Sequence, residues 1–158
     1  MLSWLFSDPL PVGSEAPDFT LYTQNGEAVA LSALRGKNVV LVFYPGDDTM
    51  ICRQQLCEFR DSWSQAEAAN TIVFGVNPQS ASSHGRFRDK FKLPFPLLVD
   101  DDQKVAALYN ASGIFVKRTV YLIGPDGVIR YSRRGKPAPD EVLAAAKILR
   151  ENRGAAHI

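Results

Sequence analysis

Two side chains in this sequence can do thiol chemistry, Cys52 and Cys57, the only cysteines in 158 residues and five positions apart. A cysteine near the start of a helix faces unpaired backbone N–H groups and the positive end of the helix dipole, which favour a thiolate. Such a site, or a nearby arginine, lowers a thiol pKa from about 8.5 into the range of about 3.5 to 7.5, which makes the sulfur nucleophilic and oxidisable at neutral pH. A cysteine packed simply as a small hydrophobe is the plainer alternative. If both lie on one helix, five residues mean a rise of about 7.5 Å and a rotation of about 140°, so their Cα atoms stand about 8 to 9 Å apart. A disulfide needs about 4.4 to 6.8 Å. Either the helix start unwinds to let them bond, or both remain thiols in a rigid helix. A zinc site does not fit, because the only histidines, His84 and His157, lack short ligand spacing.

The elements that must position these sulfurs follow from local pattern. Asn38 to Tyr44 is an almost unbroken apolar run between Gly36 and Pro45, which predicts a strand buried on both faces. The residues from Asp48 to about Ala68 favour helix, with Ile51, Leu56, Phe59 and Trp63 expected on its buried face, so Cys52 falls in the first turn after a central strand. Ahead of this, Asp18–Tyr22 and Ala28–Leu31 flank Asn25-Gly26 as a hairpin, with Ser32 as a helix cap. After it come a strand at Thr71–Val76, a helix at Ser80–Phe91 capped by Ser80 or Ser82, a short strand at Leu97–Val99 and a short helix at Lys104–Tyr109. Arg118–Ile123 and Val128–Tyr131 make a second hairpin around Pro125-Asp126-Gly127, and Asp140–Asn152 makes a last helix. Strands alternating with helices predict an α/β fold with a central mixed β-sheet flanked by helices and an N-terminal β-hairpin.

Composition narrows the function. Eighteen basic and seventeen acidic residues leave a charge of +1, so no bulk field points to nucleic acid or an anionic membrane. No apolar run approaches the roughly 20 residues of a membrane span. Met1 to Phe6 is apolar but has no basic lead or cleavage-like site, so no export signal is read, and Trp4 and Phe6 are expected to pack on the domain surface. One domain over residues 1–158 is expected, with an extension at 1–13 and a frayed tail at 153–158. Two cysteines form no secreted disulfide framework, so a reducing, cytoplasmic setting fits best.

The segment Phe43-Tyr44-Pro45-Gly46-Asp47-Asp48-Thr49-Met50-Ile51-Cys52, with its core Pro-x-x-x-Thr-x-x-Cys, closely resembles the active-site segment of peroxiredoxins. Cys57 followed by Glu58-Phe59-Arg60-Asp61 is similar to the peroxiredoxin Q or bacterioferritin comigratory protein group. The likeness extends to Ala16-Pro17-Asp18-Phe19, Ser83-His84, Leu93-Pro94-Phe95, Asp100 and Arg118–Ile123. It implies a thioredoxin-like fold and a set of roles: Cys52 as peroxidatic cysteine, Cys57 as resolving cysteine, Thr49 as the hydroxyl that positions thiolate and peroxide, Pro45 as the residue shielding the pocket, and Arg118 as the guanidinium that stabilises thiolate and leaving oxygen. Alone, Thr49 would be a helix cap and Arg118 an exposed strand residue. Met50-Ile51 stand where the family often has a proline and a small residue, which makes the entrance bulkier and more apolar. Asn77 replaces a common serine, and the segment 110–116 is short. His84 reads as a satisfied or exposed helix residue.

The resemblance implies a peroxidase for hydrogen peroxide and organic hydroperoxides. Its intramolecular Cys52–Cys57 disulfide is recycled by thioredoxin, or by glutaredoxin, without metal, haem or flavin. A monomer is expected, since the resolving cysteine is in the same chain. Two rivals stand beside this. A protein disulfide reductase would carry Cys-x-x-Cys, absent here. A redox-sensing or chaperone-like binding protein would use the same helix as a switch that exposes Phe59 and Trp63 on oxidation.

Overall fold

The computed structural model describes residues 8–155, the side chains of Cys52 and of residues 150–155 excepted. The expected surface packing of Trp4 and Phe6 lies outside them. The strands are β1 (Thr20–Thr23), β2 (Ala28–Ala30), β3 (Asn38–Phe43), β4 (Thr71–Asn77), β5 (Leu97–Val99), β6 (Thr119–Ile123) and β7 (Ile129–Arg134); the helices are α1 (Met50–Asp61), α2 (Trp63–Ala68), α3 (Ala81–Phe91), α4 (Lys104–Leu108) and α5 (Pro139–Ala155). The strands form one mixed sheet in the order β2-β1-β5-β4-β3-β6-β7. β3 runs parallel to β4 and antiparallel to β6, and β4 runs parallel to β5.

The unbroken apolar run of β3 is explained by its place in this sheet. Val39, Leu41 and Phe43 face a core that includes Phe19, Phe74, Tyr109 and Tyr121, closed by α4 and the chain before β1. Val40, Val42 and Tyr44 face the opposite core, built with Leu56 and Phe59 of α1, Ala66 of α2, Phe87 of α3 and Val142 of α5. With helices on one side and α4 on the other, neither face of the strand meets water, and alternation is lost. The tyrosines of the first core hold the N-terminal segment through their hydroxyls: Tyr109 donates to the Pro17 carbonyl at 2.6 Å, and Tyr121 accepts from the Leu10 N–H at 2.8 Å.

Five local expectations are corrected. The helix drawn from Asp48 to Ala68 breaks at Ser62, whose N–H is shared between the Glu58 and Phe59 carbonyls at 3.1 and 3.2 Å, and α2 restarts at Trp63. No glycine or proline announces the break. Ile51 is exposed rather than buried, because five residues at 100° each place it about 140° from Leu56 around the helix. Ser32 caps nothing. It sits inside a 3-10 turn, Leu31–Leu34, and its N–H donates to Asp18 Oδ1 at 3.0 Å. In the first hairpin only Gly26 takes a positive φ, so Asn25-Gly26 is not a two-residue turn with both centres left-handed. The last helix runs on to Ala155, past the point where a tail was expected.

Candidate active site

The site is built where β3 ends and α1 begins, at the carboxyl ends of the parallel strands. Pro45, half-buried, opens the connecting loop, and Asp48 takes a left-handed φ of 57° within it. Thr49 occupies the N-cap position of α1 with extended backbone, yet its hydroxyl makes no capping bond; it lies 3.4 Å from the Gly46 carbonyl. The hydroxyl is therefore not consumed by the helix end. The Arg53 N–H donates to the Thr49 carbonyl at 2.8 Å and closes the first turn. Cys52 is the third residue of α1, so its amide belongs to the turn whose N–H groups lack intrahelical partners. That is the position at which a helix end stabilises negative charge.

Arg118, half-buried one residue before β6, reaches α1: its Nη1 donates to Gln55 Oε1 at 2.8 Å. Gln55 is fully buried three residues after Cys52, and residues so spaced are neighbours on one helical face. The guanidinium is thus anchored beside the helical face that carries position 52. The amide orientation of Gln55 is fixed by this bond, and its Nε2 finds no partner among the described residues.

Cys57 lies on the same unbroken helix as Cys52 and is half-buried. Burial pushes its thiol up, Asp61 adds to this, and Arg60 and Arg53 only partly oppose it, so in the folded helix Cys57 is a thiol and not a thiolate at neutral pH. The second half of α1 is held more firmly than the first. Leu56 and Phe59 are fully buried, Lys136 pairs with Glu58 at 2.6 Å, and Arg60 donates to the Phe91 carbonyl at 2.7 Å. Met50 and Ile51 of the first turn are 71% and 53% exposed.

Sequence reasoning missed the group that organises the loop. The Asp47 carboxylate accepts from Tyr44 Oη at 2.6 Å and Asn77 Nδ2 at 3.2 Å on one oxygen, and from Ser83 Oγ at 2.7 Å and His84 Nδ1 at 2.6 Å on the other. His84 is completely buried, and its Nε2 donates to the Leu98 carbonyl of β5 at 2.9 Å, so with Asp47 ionised both ring nitrogens donate. His84 is the satisfied helix residue of the two alternatives. The Asp47 N–H in turn donates to the Gln79 side-chain oxygen. A carboxylate directly after a buried strand, with Asn77 closing the next strand and a serine-capped helix following, was the available signal.

Burial alone would raise the pKa of Asp47. The His84 hydrogen bond, the Tyr44 hydroxyl, the His84 charge and the Ser83 hydroxyl together outweigh it and hold the carboxyl below its usual range. A depressed carboxylate contributes stability above the unfolded value of about 3.9 and loses it as pH falls through the lower folded value.

Comparison with known proteins places this geometry. The AhpC/TSA family model matches residues 12–132. Peroxiredoxin Bcp of Bacillus subtilis is 34% identical over 90% of this chain and 96% of its own length. The chloroplast peroxiredoxin Q of Oryza sativa subsp. japonica is 39% identical over 82% of this chain, an alignment that spans 61% of the rice protein. Among solved structures, peroxidoxin BcpB of Mycobacterium tuberculosis superposes with a TM-score of 0.81 at 27% identity, covering 87% of this chain and 96% of that one. Xylella fastidiosa PrxQ gives 0.77 at 25% identity, covering 95% and 99%. The mixed sheet with its helices is the thioredoxin-like fold of these proteins. The chain belongs to the AhpC/TSA family and, within it, to the peroxiredoxins of the Q or bacterioferritin comigratory protein group.

Proposed function

We propose that the protein is a thiol-dependent peroxidase that reduces hydrogen peroxide and organic hydroperoxides through Cys52 and resolves the product with Cys57. The observation that carries this is Cys52 in the first turn of α1, with Thr49 at the helix cap and Arg118 anchored on the same helix. The Cys52 thiolate attacks one peroxide oxygen, the O–O bond breaks, and the other oxygen leaves as water or an alcohol after taking a proton. Cys52 becomes a sulfenic acid. Arg118 stabilises the thiolate and the charge developing on the departing oxygen, and the Thr49 hydroxyl orients both. Pro45 shields the pocket.

Cys57 then condenses with the sulfenic acid, forming the S–S bond and releasing water. An intact α1 holds the two positions too far apart, so its first turns must unwind. Met50 and Ile51, at the start of the helix, have the least burial to lose. Unwinding also frees Cys57 from the burial that keeps it protonated. A dithiol reductant, thioredoxin or glutaredoxin, reopens the disulfide by exchange. We place the cycle in a monomer in a reducing, cytoplasmic compartment. No described helix is long and apolar enough to cross a membrane.

Turnover coupled to thioredoxin tests the division of labour. Cys57→Ser is expected to complete its first oxidation at the wild-type rate but to lose at least about tenfold in thioredoxin-supported turnover, because the exposed disulfide that the reductant attacks cannot form. Undiminished turnover would remove Cys57 from the cycle.

A further inference from the structure

The Asp47 carboxylate belongs to none of the reacting groups, yet it ties together the elements that converge on them. Tyr44 lies just past the end of β3, Asn77 ends β4, Ser83 and His84 open α3, and His84 carries the connection on to β5. Four donors for two oxygens leave the carboxylate fully satisfied, and its side chain is almost wholly buried, 3% exposed. On its C-terminal side the chain turns through the left-handed Asp48, a conformation a non-glycine residue holds only when its surroundings impose it, and then enters Thr49 and α1. Asp48 adds an outer tie, accepting from Lys90 at 2.8 Å.

We infer that Asp47 is a positioning residue for the peroxidatic segment: its carboxylate pins the loop before Thr49 to the sheet and to α3, fixing where the hydroxyl of Thr49 and the first turn of α1 stand. This rests on the peroxidase reading and deepens it. The pinned loop is also the fixed end from which the helix unwinds. Everything Asp47 holds lies before Thr49 or outside α1, so opening residues 50–57 breaks none of its four bonds. The segment can therefore open for resolution and return to one geometry for the next attack.

Asp47→Ala and Asp47→Asn separate positioning from bulk stability. In Asn the carboxamide retains an acceptor for Tyr44 and Asn77, and its N–H can donate to a neutral His84 whose Nε2 still faces Leu98. Two measurements are made on each variant: the second-order rate of Cys52 oxidation in stopped flow, and amide hydrogen exchange of residues 45–53 against the core strands β3 and β4. In Asp47→Ala, oxidation is expected to slow by about 30-fold, the scale of a sub-ångström misplacement of reacting groups, with faster exchange confined to 45–53. Asp47→Asn is expected to stay within about threefold of wild type on both measures. Ser83→Ala, which deletes one donor of the four, is expected to slow oxidation about threefold and decides the matter if Asp47→Ala does not fold.

Oxidation within threefold of wild type in Asp47→Ala overturns the inference, whether or not exchange rises. So does slow oxidation with unchanged exchange, or a Ser83→Ala variant equal to wild type where Asp47→Ala does not fold. A wild-type protein that reacts with peroxide no faster than a free thiol sinks the peroxidase reading instead, and the exchange data still report whether Asp47 holds the segment.

Discussion

Cys52→Ser consumes no peroxide above the uncatalysed background, a loss of about four orders of magnitude or more, the scale on which removal of a nucleophile abolishes an enzyme that acts through it. The reason is chemical. At neutral pH the first turn of α1 can hold a sulfur as its anion, whereas a serine hydroxyl there stays protonated and is a poor nucleophile without a base. No such base is at hand: His84, the one histidine within the described residues, is buried with both nitrogens engaged by Asp47 and Leu98. Replacing one chalcogen by another in the third residue of a helix leaves the backbone unchanged, so the variant is expected to melt with the wild type. Stopped-flow peroxide consumption by folded Cys52→Ser is the check, and residual activity within a hundredfold of wild type would mean that another group carries the reaction.

Arg118→Met is the second large effect, a fall in the rate of Cys52 oxidation of about 10² to 10³, the range found when one preorganised donor to a developing oxyanion is removed. Methionine matches the length of the arginine stem and keeps its packing, so the loss reports the guanidinium. The geometry adds a second component. Gln55, whose Nε2 has no partner among the described residues, would lose the donor to its oxygen, and a buried amide so left can move and take the face of α1 with it. Lysine at position 118 is expected to recover little, since a point charge cannot hold Gln55 and serve the reacting atoms at once as a planar fork can. A rate for Arg118→Met within threefold of wild type would remove the guanidinium from the mechanism.

How far the sequence reached depends on the range of the interaction that fixed each feature. β3 was legible because burial on both faces writes itself into every residue of the strand, and the Ser80 cap because its bond to the Ser83 N–H at 3.2 Å spans a single turn. The interruption at Ser62 was not, since a serine inside a helical pattern is tolerated as often as it ends one, and here the packing of Ala66 and Ala69 on the sheet decides it. The site divides in the same way. Cys52, Cys57, Thr49, Pro45 and Arg118 are candidates drawn from a local motif and a resemblance, whereas the Arg118–Gln55 bond spans 63 residues and the Asp47 ties to Ser83 and His84 span 36 and 37. Partners so distant are chosen by the order of strands in the sheet, which no spacing along the chain encodes. The misplaced Ile51 is a different kind of error, because the 100° step of the helix was enough to put it on the outer face.

In the proposed cycle one peroxide molecule converts Cys52 and Cys57 of a single chain into a disulfide by way of an unwound α1. Intact mass of the reduced protein after one equivalent of hydrogen peroxide reads this conversion. A monomeric product lighter by about two mass units is expected, with no such product in Cys52→Ser and a sulfenic or further oxidised Cys52 in Cys57→Ser. A wild-type protein that instead gains oxygen without losing two hydrogens, or that links to a second chain, would contradict it.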